Sequence, residues 1–152
     1  MTDSGARARI AWRRESKRVA SELRAILASS EISLLAFDEG EQIRRTVLES
    51  YALARQAGLL RRLSTKSSQE LVSSSRLGIA AFPDGAIILL LQRSERKGVY
   101  VVQKRDIEAD PVALLAYDGD TVIFATTDCA RGVLLDREEC EDGAITYEIE
   151  MW

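Results

Sequence analysis

The sequence predicts an α+β fold, a mostly antiparallel sheet of five to seven strands packed against two N-terminal helices, and three stretches carry that expectation. Residues Ala6 to Ala28 repeat apolar positions at helical spacing, with Trp12, Val19, Leu23, Ile26 and Leu27 on one stripe and Arg13, Arg14, Lys17, Arg18 and Arg24 on the other face. Residues 77–92 hold two apolar runs on either side of Pro83-Asp84-Gly85, a turn signature that reads as a β-hairpin. The arm from Ala86 to Leu91 has no polar residue, so both of its faces should be covered, as in a central strand. Residues 144–152 alternate, with Ile145, Tyr147, Ile149 and Met151 on one side and Thr146, Glu148, Glu150 and Trp152 on a solvated, acidic side. At 152 residues and 16.9 kDa the chain is read as one domain spanning 1–152.

The elements follow in order. Ser29-Ser30 ends the first helix, and Ile32 to Phe37 is a short apolar run that reads as a strand, though pattern alone does not separate it from a buried helical turn. Asp38-Glu39-Gly40-Glu41 has capping-box spacing, which should open a second helix with Ile43, Val47, Tyr51 and Ala54 on its apolar stripe. Gly58 followed by Leu59-Leu60 suits a C′ glycine and its hydrophobic contact. Both helices are expected on one face of the sheet. Leu59 to Leu63 reads as a strand or a turn of helix, Ser67-Ser68-Gln69-Glu70 as a second capping box opening a short helix through Val72, and Ser73-Ser74-Ser75 as a loop. After the hairpin, Arg93 to Gly98 is an exposed basic connection to a strand Val99 to Gln103, the third member of an expected meander. Asp110-Pro111 suits an N-cap with Pro at N1, opening a short helix or turn, and Tyr117-Asp118-Gly119-Asp120 turns into a strand Thr121 to Thr126. Asp128 to Gly132 is a loop and Val133 to Leu135 a small strand or bridge.

Composition excludes several chemistries. There is no histidine, which removes the commonest general base, the partner of most serine and cysteine nucleophiles and the commonest transition-metal ligand. Cys129 and Cys140 are the only cysteines, flank an acidic segment and are read as free thiols. Asp118-Gly119-Asp120 lacks the later ligands of a calcium loop, and no phosphate-binding or dinucleotide glycine motif is present. No catalytic, cofactor or metal site is therefore expected, and the chain is read as non-enzymatic. No secretory leader or membrane span is visible, so a cytoplasmic protein with no membrane partner is expected.

The net charge of −3 hides a division along the chain. From Asp106 onward thirteen carboxylates stand against Arg131 and Arg137, a net −11, which leaves +8 on the first 105 residues. An acidic surface of that kind associates fast with a cationic partner. The candidate partner-binding residues, taken from charge and pattern, are Asp118, Asp120, Asp128, Glu138, Glu139, Glu141 and Asp142, with Tyr147 or Trp152 as an apolar anchor. A terminal tryptophan on the charged side of a strand is either folded over the sheet edge or free for contact.

Within residues 112–152, the pattern Asp118-Gly119-Asp120-x-Val122, Gly132-x-Leu134-Leu135-Asp136 and Tyr147-Glu148-Ile149 resembles the immunity proteins of bacterial polymorphic and contact-dependent growth-inhibition toxin systems. The resemblance implies a non-catalytic inhibitor, an antitoxin in function, that binds a cognate toxin domain, commonly a basic nuclease. Two other classes stay open. One is a nucleic-acid-binding or regulatory module working through Arg13, Arg14, Lys17 and Arg18, although no nucleic-acid motif accompanies them. The other is a non-catalytic assembly protein whose basic and acidic faces complement each other.

Overall fold

The computed structural model describes residues 3–152. Its elements in chain order are α1 (Asp3–Ile26), β1 (Ser33–Leu34), α2 (Phe37–Gln56), β2 (Arg61–Thr65), α3 (Ser68–Ala80), β3 (Ala86–Leu91), α4 (Ser94–Lys97), β4 (Val99–Gln103), α5 (Lys104–Ala109), α6 (Ala113–Asp118), β5 (Thr121–Ala125), β6 (Gly132–Glu139) and β7 (Ile145–Met151). The seven strands make one sheet in the order β1-β4-β3-β5-β6-β7-β2, and every pairing is antiparallel. The chain is thus an α+β fold of the expected kind.

Side-chain alternation along β3 divides the core in two. Ile87, Leu89 and Leu91 meet α1, α3, α5 and α6 through Val19, Leu23, Leu71, Ile79, Ile107 and Leu114. Ile88 and Leu90 point the other way, into a smaller cluster with Val47 of α2, Val99, Ile123, Ala125 and Cys129. The expectation that Ala86 to Leu91 is covered on both faces holds, but α1 and α2 lie on opposite faces and not together on one. A strand without polar residues needs cover on each side, and one helix per side supplies it.

The expected hairpin is half a helix. Leu77 to Ala80 close α3, whose buried Leu71, Ser75, Gly78 and Ile79 keep helical spacing, and Pro83-Asp84-Gly85 joins that helix to β3. Ser73 and Ser75 lie inside α3 and donate to the carbonyls of Gln69 and Leu71, which is how serine is accommodated in a helix interior. Gly78 lets α3 lie close on the sheet, since a Cβ there would come within 2.8 Å of Met151 Sδ. The meander is lost with the first arm: β3 sits between β4 and β5.

Caps divide similarly. Ser67 accepts from the Glu70 N–H at 3.2 Å, as its spacing predicts, while the Glu70 carboxylate receives the Thr65 hydroxyl at 2.8 Å instead of reaching back to Ser67. At α2 the box does not form: the helix begins two residues early at Phe37, Ala36 is the N-cap, and Asp38 pairs with Arg9 of α1 at 2.8 Å. Gly58, at φ +70°, ends α2 with bonds from Gly58 N–H to the Arg55 carbonyl and from Leu59 N–H to that of Ala54. Leu59, expected to make the accompanying hydrophobic contact, is 70% exposed, and Leu60 is half-buried. Among the described residues no helix is long and apolar enough to cross a membrane.

Candidate protein-docking face

The carboxylates singled out from the sequence do not form one surface. Asp118 is the clearest case: its side chain is 1% exposed, ion-paired with Lys97, and accepts the N–H of Gln92, which ties α6 to the end of β3. It is a structural anchor and not a docking residue. Asp128 sits in the β5–β6 turn, where the Thr126 hydroxyl and then the Ala130 N–H (3.0 Å) hold its carboxyl below the usual carboxylate range. Glu138, Glu139, Glu141 and Asp142 lie at the opposite end of β6, eight residues long, roughly 23 Å away at about 3.3 Å per residue. Asp120 joins that second group, opposite Arg137 at 4.0 Å, and Asp142 shapes the turn by accepting the Ala144 N–H at 3.0 Å.

The two proposed anchors are also committed elsewhere. Tyr147 packs against the larger core cluster, on the face opposite Glu148. Trp152 is folded over the sheet: its ring stands edge-on to Tyr51 of α2 at 5.1 Å, and its Nε1 donates to Ser50 Oγ at 3.2 Å. Gly132 makes this possible, because a Cβ at that position would lie 2.2 Å from Trp152 Cζ2. Glu150, expected to be solvated, is 6% exposed. Both of its oxygens accept from Tyr51 Oη at 3.1 Å, and Arg62 of β2 donates to it at 3.1 Å. Burial first, and then the bond to Glu150, push the Tyr51 hydroxyl above its ordinary pKa, so the phenol stays a donor.

What remains open is a different set of acids. On the face that α2 covers, Thr121, Asp136, Glu148 and Ser64 are successive cross-strand neighbours on β5, β6, β7 and β2. The same alternation puts Glu138 and Thr146 on this face, one step nearer the β6–β7 turn. Helix α2 stays over the neighbouring part, where Val47 meets Leu90 and Val99 and Tyr51 meets Glu150, leaving Ser64 and Glu138 exposed and Asp136 and Glu148 half-buried. Asp136 receives the Thr121 hydroxyl at 2.8 Å and Glu148 that of Ser64 at 3.4 Å. Among the described residues neither has a cation within ion-pair distance, although like charges directly opposed on a sheet cost about 0.2–1 kcal/mol. Beside this floor, Leu48 of α2, 38% exposed, and Ile123 line a cleft of about 290 Å³ bounded by Arg44, Ser94 and Glu95.

Alternation was the signal that could have located this floor. Leu134, Asp136 and Glu138 alternate with Val133, Leu135 and Arg137, but a strand stopping at Leu135 hides the pattern. Two arginines of α1 are engaged away from the acidic third, Arg9 with Asp38 and Arg18 with Glu22, while Glu15 of α1 takes Arg96. No group of three or more acidic or thiol side chains among the described residues is arranged to hold a metal ion. No family model matches the chain, and no curated protein shows significant similarity to it.

Proposed function

We propose that the chain is a stoichiometric inhibitor of the immunity-protein type, working in the cytoplasm, whose acidic sheet floor engages a cationic toxin domain such as a nuclease. The observation that carries this reading is the opposed pair Asp136 and Glu148 on the open half of one sheet face, neither within ion-pair distance of a cation among the described residues. Two carboxylates in that position repel each other in the free protein and gain when a Lys- or Arg-lined surface closes over them. The Leu48–Ile123 cleft supplies the apolar contact that Tyr147 and Trp152 do not. The docking set becomes Asp136, Glu138 and Glu148 with Asp120, Glu139, Glu141 and Asp142 at the rim. No general base or nucleophile pair is part of this reading.

The test is association with a cognate toxin domain, sought in the gene adjacent to the one encoding this chain, measured by stopped flow against ionic strength. The double variant Asp136→Lys/Glu148→Lys is expected to associate about tenfold or more slowly and to lose most of its salt dependence, with the circular dichroism unchanged. Equal rates and equal salt slopes for the two proteins would refute the assignment. The exposed Arg13, Arg14 and Lys17 on α1 favour a second reading, binding of nucleic-acid phosphates, for which a gel shift at low salt that disappears in Arg13→Glu/Arg14→Glu is the measurement.

A further inference from the structure

The β2 edge of the sheet is open. Strand β2 pairs only with β7, so alternate N–H and C=O groups of Arg61–Thr65 face outward with no strand beyond them. Apolar side chains gather beside this edge: Leu77 of α3 is 75% exposed, Leu59 just before β2 is 70% exposed, and Leu77 lines a groove of about 250 Å³ with Leu63 and Met151. We propose that a second copy of this chain pairs antiparallel along β2, joining two seven-stranded sheets into one about a two-fold axis normal to the sheet. The inference rests on the edge and not on the toxin-binding reading.

Symmetry and charge select one register. Residues directly opposed in antiparallel strands point to the same face, so a two-fold axis normal to the sheet must pass through a residue that meets itself. Centring on Arg62 would oppose two guanidinium groups, and centring on Ser64 would oppose Arg62 to Lys66. Centring on Leu63 opposes Leu63 to itself, Arg62 to Ser64 and Arg61 to Thr65. Of these three registers only this one avoids like charges in contact, and it brings the other copy's Leu63 to the groove beneath Leu77, which Arg61 also lines. It also brings Arg62, whose side chain is 51% exposed and pairs with Glu150 of its own chain, one strand away from Glu148 of the other copy. Two arginines on a bare edge block random strand addition, and in this register Arg62 becomes part of the attraction. Asp136 and Glu138, one strand further in, stay open on the dimer.

Sedimentation equilibrium of the full chain over 1–200 μM tests the association, with Leu77→Glu as the variant, because that side chain is already exposed and its change leaves the fold intact. A dimer that weakens at least about tenfold in Leu77→Glu is expected. A chain that stays monomeric throughout the range overturns the proposal, as does a dimer indifferent to Leu77→Glu. Register is read by oxidation in a Cys140→Ser background. Leu63→Cys should cross-link to a covalent dimer, while Arg62→Cys and Ser64→Cys should not, since each would lie two residues out of step with its own copy. Cross-linking through position 62 or 64 in preference to 63 overturns the register. Failure to bind a cognate toxin domain found in the adjacent gene, with dimerisation intact, would remove the toxin reading alone.

Discussion

Removing the Asp118 carboxylate should destabilise the protein, although its place in an acidic turn suggests a dispensable surface charge. The Asp118 side chain is 1% exposed and that of Lys97 21%, and the carboxylate also takes the N–H of Gln92. In Asp118→Ala the Lys97 ammonium loses its counter-charge in a site water only partly reaches, and a backbone donor loses its acceptor. Removing one member of a buried ion pair costs about 3–5 kcal/mol, and the partial exposure of Lys97 puts this case at about 3. For a chain of this length that is a loss of about 6–12 °C in Tm. Chemical unfolding followed by tryptophan fluorescence is a suitable assay, because Trp12 Nε1 lies beside Gly98, the residue after Lys97. Asp120→Ala, two residues on, is the control: its side chain is 60% exposed and 4.0 Å from Arg137, so it should change stability by about 0.5 kcal/mol or less. The double variant Lys97→Ala/Asp118→Ala should cost less than the two single losses added together, because the uncompensated charge is gone. If Asp118→Ala unfolds within about 0.5 kcal/mol of the unaltered protein, the ion pair has been given a weight it does not have.

Gly132→Ala should cost about 1–3 kcal/mol and move the Trp152 ring off Tyr51, seen as a red-shifted emission in a Trp12→Phe background; unchanged emission would show that the sheet gives way instead of the ring. At high pH, burial and then the bond to Glu22 raise the Tyr117 hydroxyl to about 12, so the folded protein keeps a proton that the unfolded chain releases near pH 10. Stability should fall as pH rises from about 10 to about 12, and Tyr117→Phe should flatten that fall in pH-dependent unfolding. Cys129 is buried, with its thiol raised by desolvation and then by Asp128, while Cys140 is exposed, so a thiol reagent at neutral pH should label Cys140 in the folded protein and reach Cys129 only on unfolding.

Local chemistry was legible wherever the physical cause is local. Gly58 ends α2 because a left-handed residue is needed there, and Ser67 caps α3 because its hydroxyl lies three residues before the Glu70 N–H. Where a tertiary partner competes, the pattern misleads. Asp38 has the spacing of a cap but is drawn to Arg9, and Phe37 meets Trp12 at 5.6 Å, so α2 starts before the box. Residues 77–82 show the limit of short apolar runs: the buried stripe Leu71, Ser75, Gly78, Ile79 crosses a triple serine, and a serine bonded back to its own helix sends no helical signal in the sequence.

The acids were legible in number and not in position, because pairing register and not sequence distance decides which carboxylates share a surface. Val133 opposite Met151 and Leu135 opposite Ile149 belong to the larger core cluster, and a slip of one residue between β6 and β7 would turn Ile149 away from it. That packing therefore fixes Asp136 opposite Glu148 without regard to their charge. The core imposes the two positions but does not choose their residues. Thr or Ser at either would satisfy the hydrogen-bonding neighbours equally well and remove a repulsion of about 0.2–1 kcal/mol, as Thr146 opposite Glu138 does one step along the ladder. Glu148 favours the charge of Arg62 on its own chain, so the position whose charge folding leaves unexplained is Asp136, which among the described residues takes only the Thr121 hydroxyl.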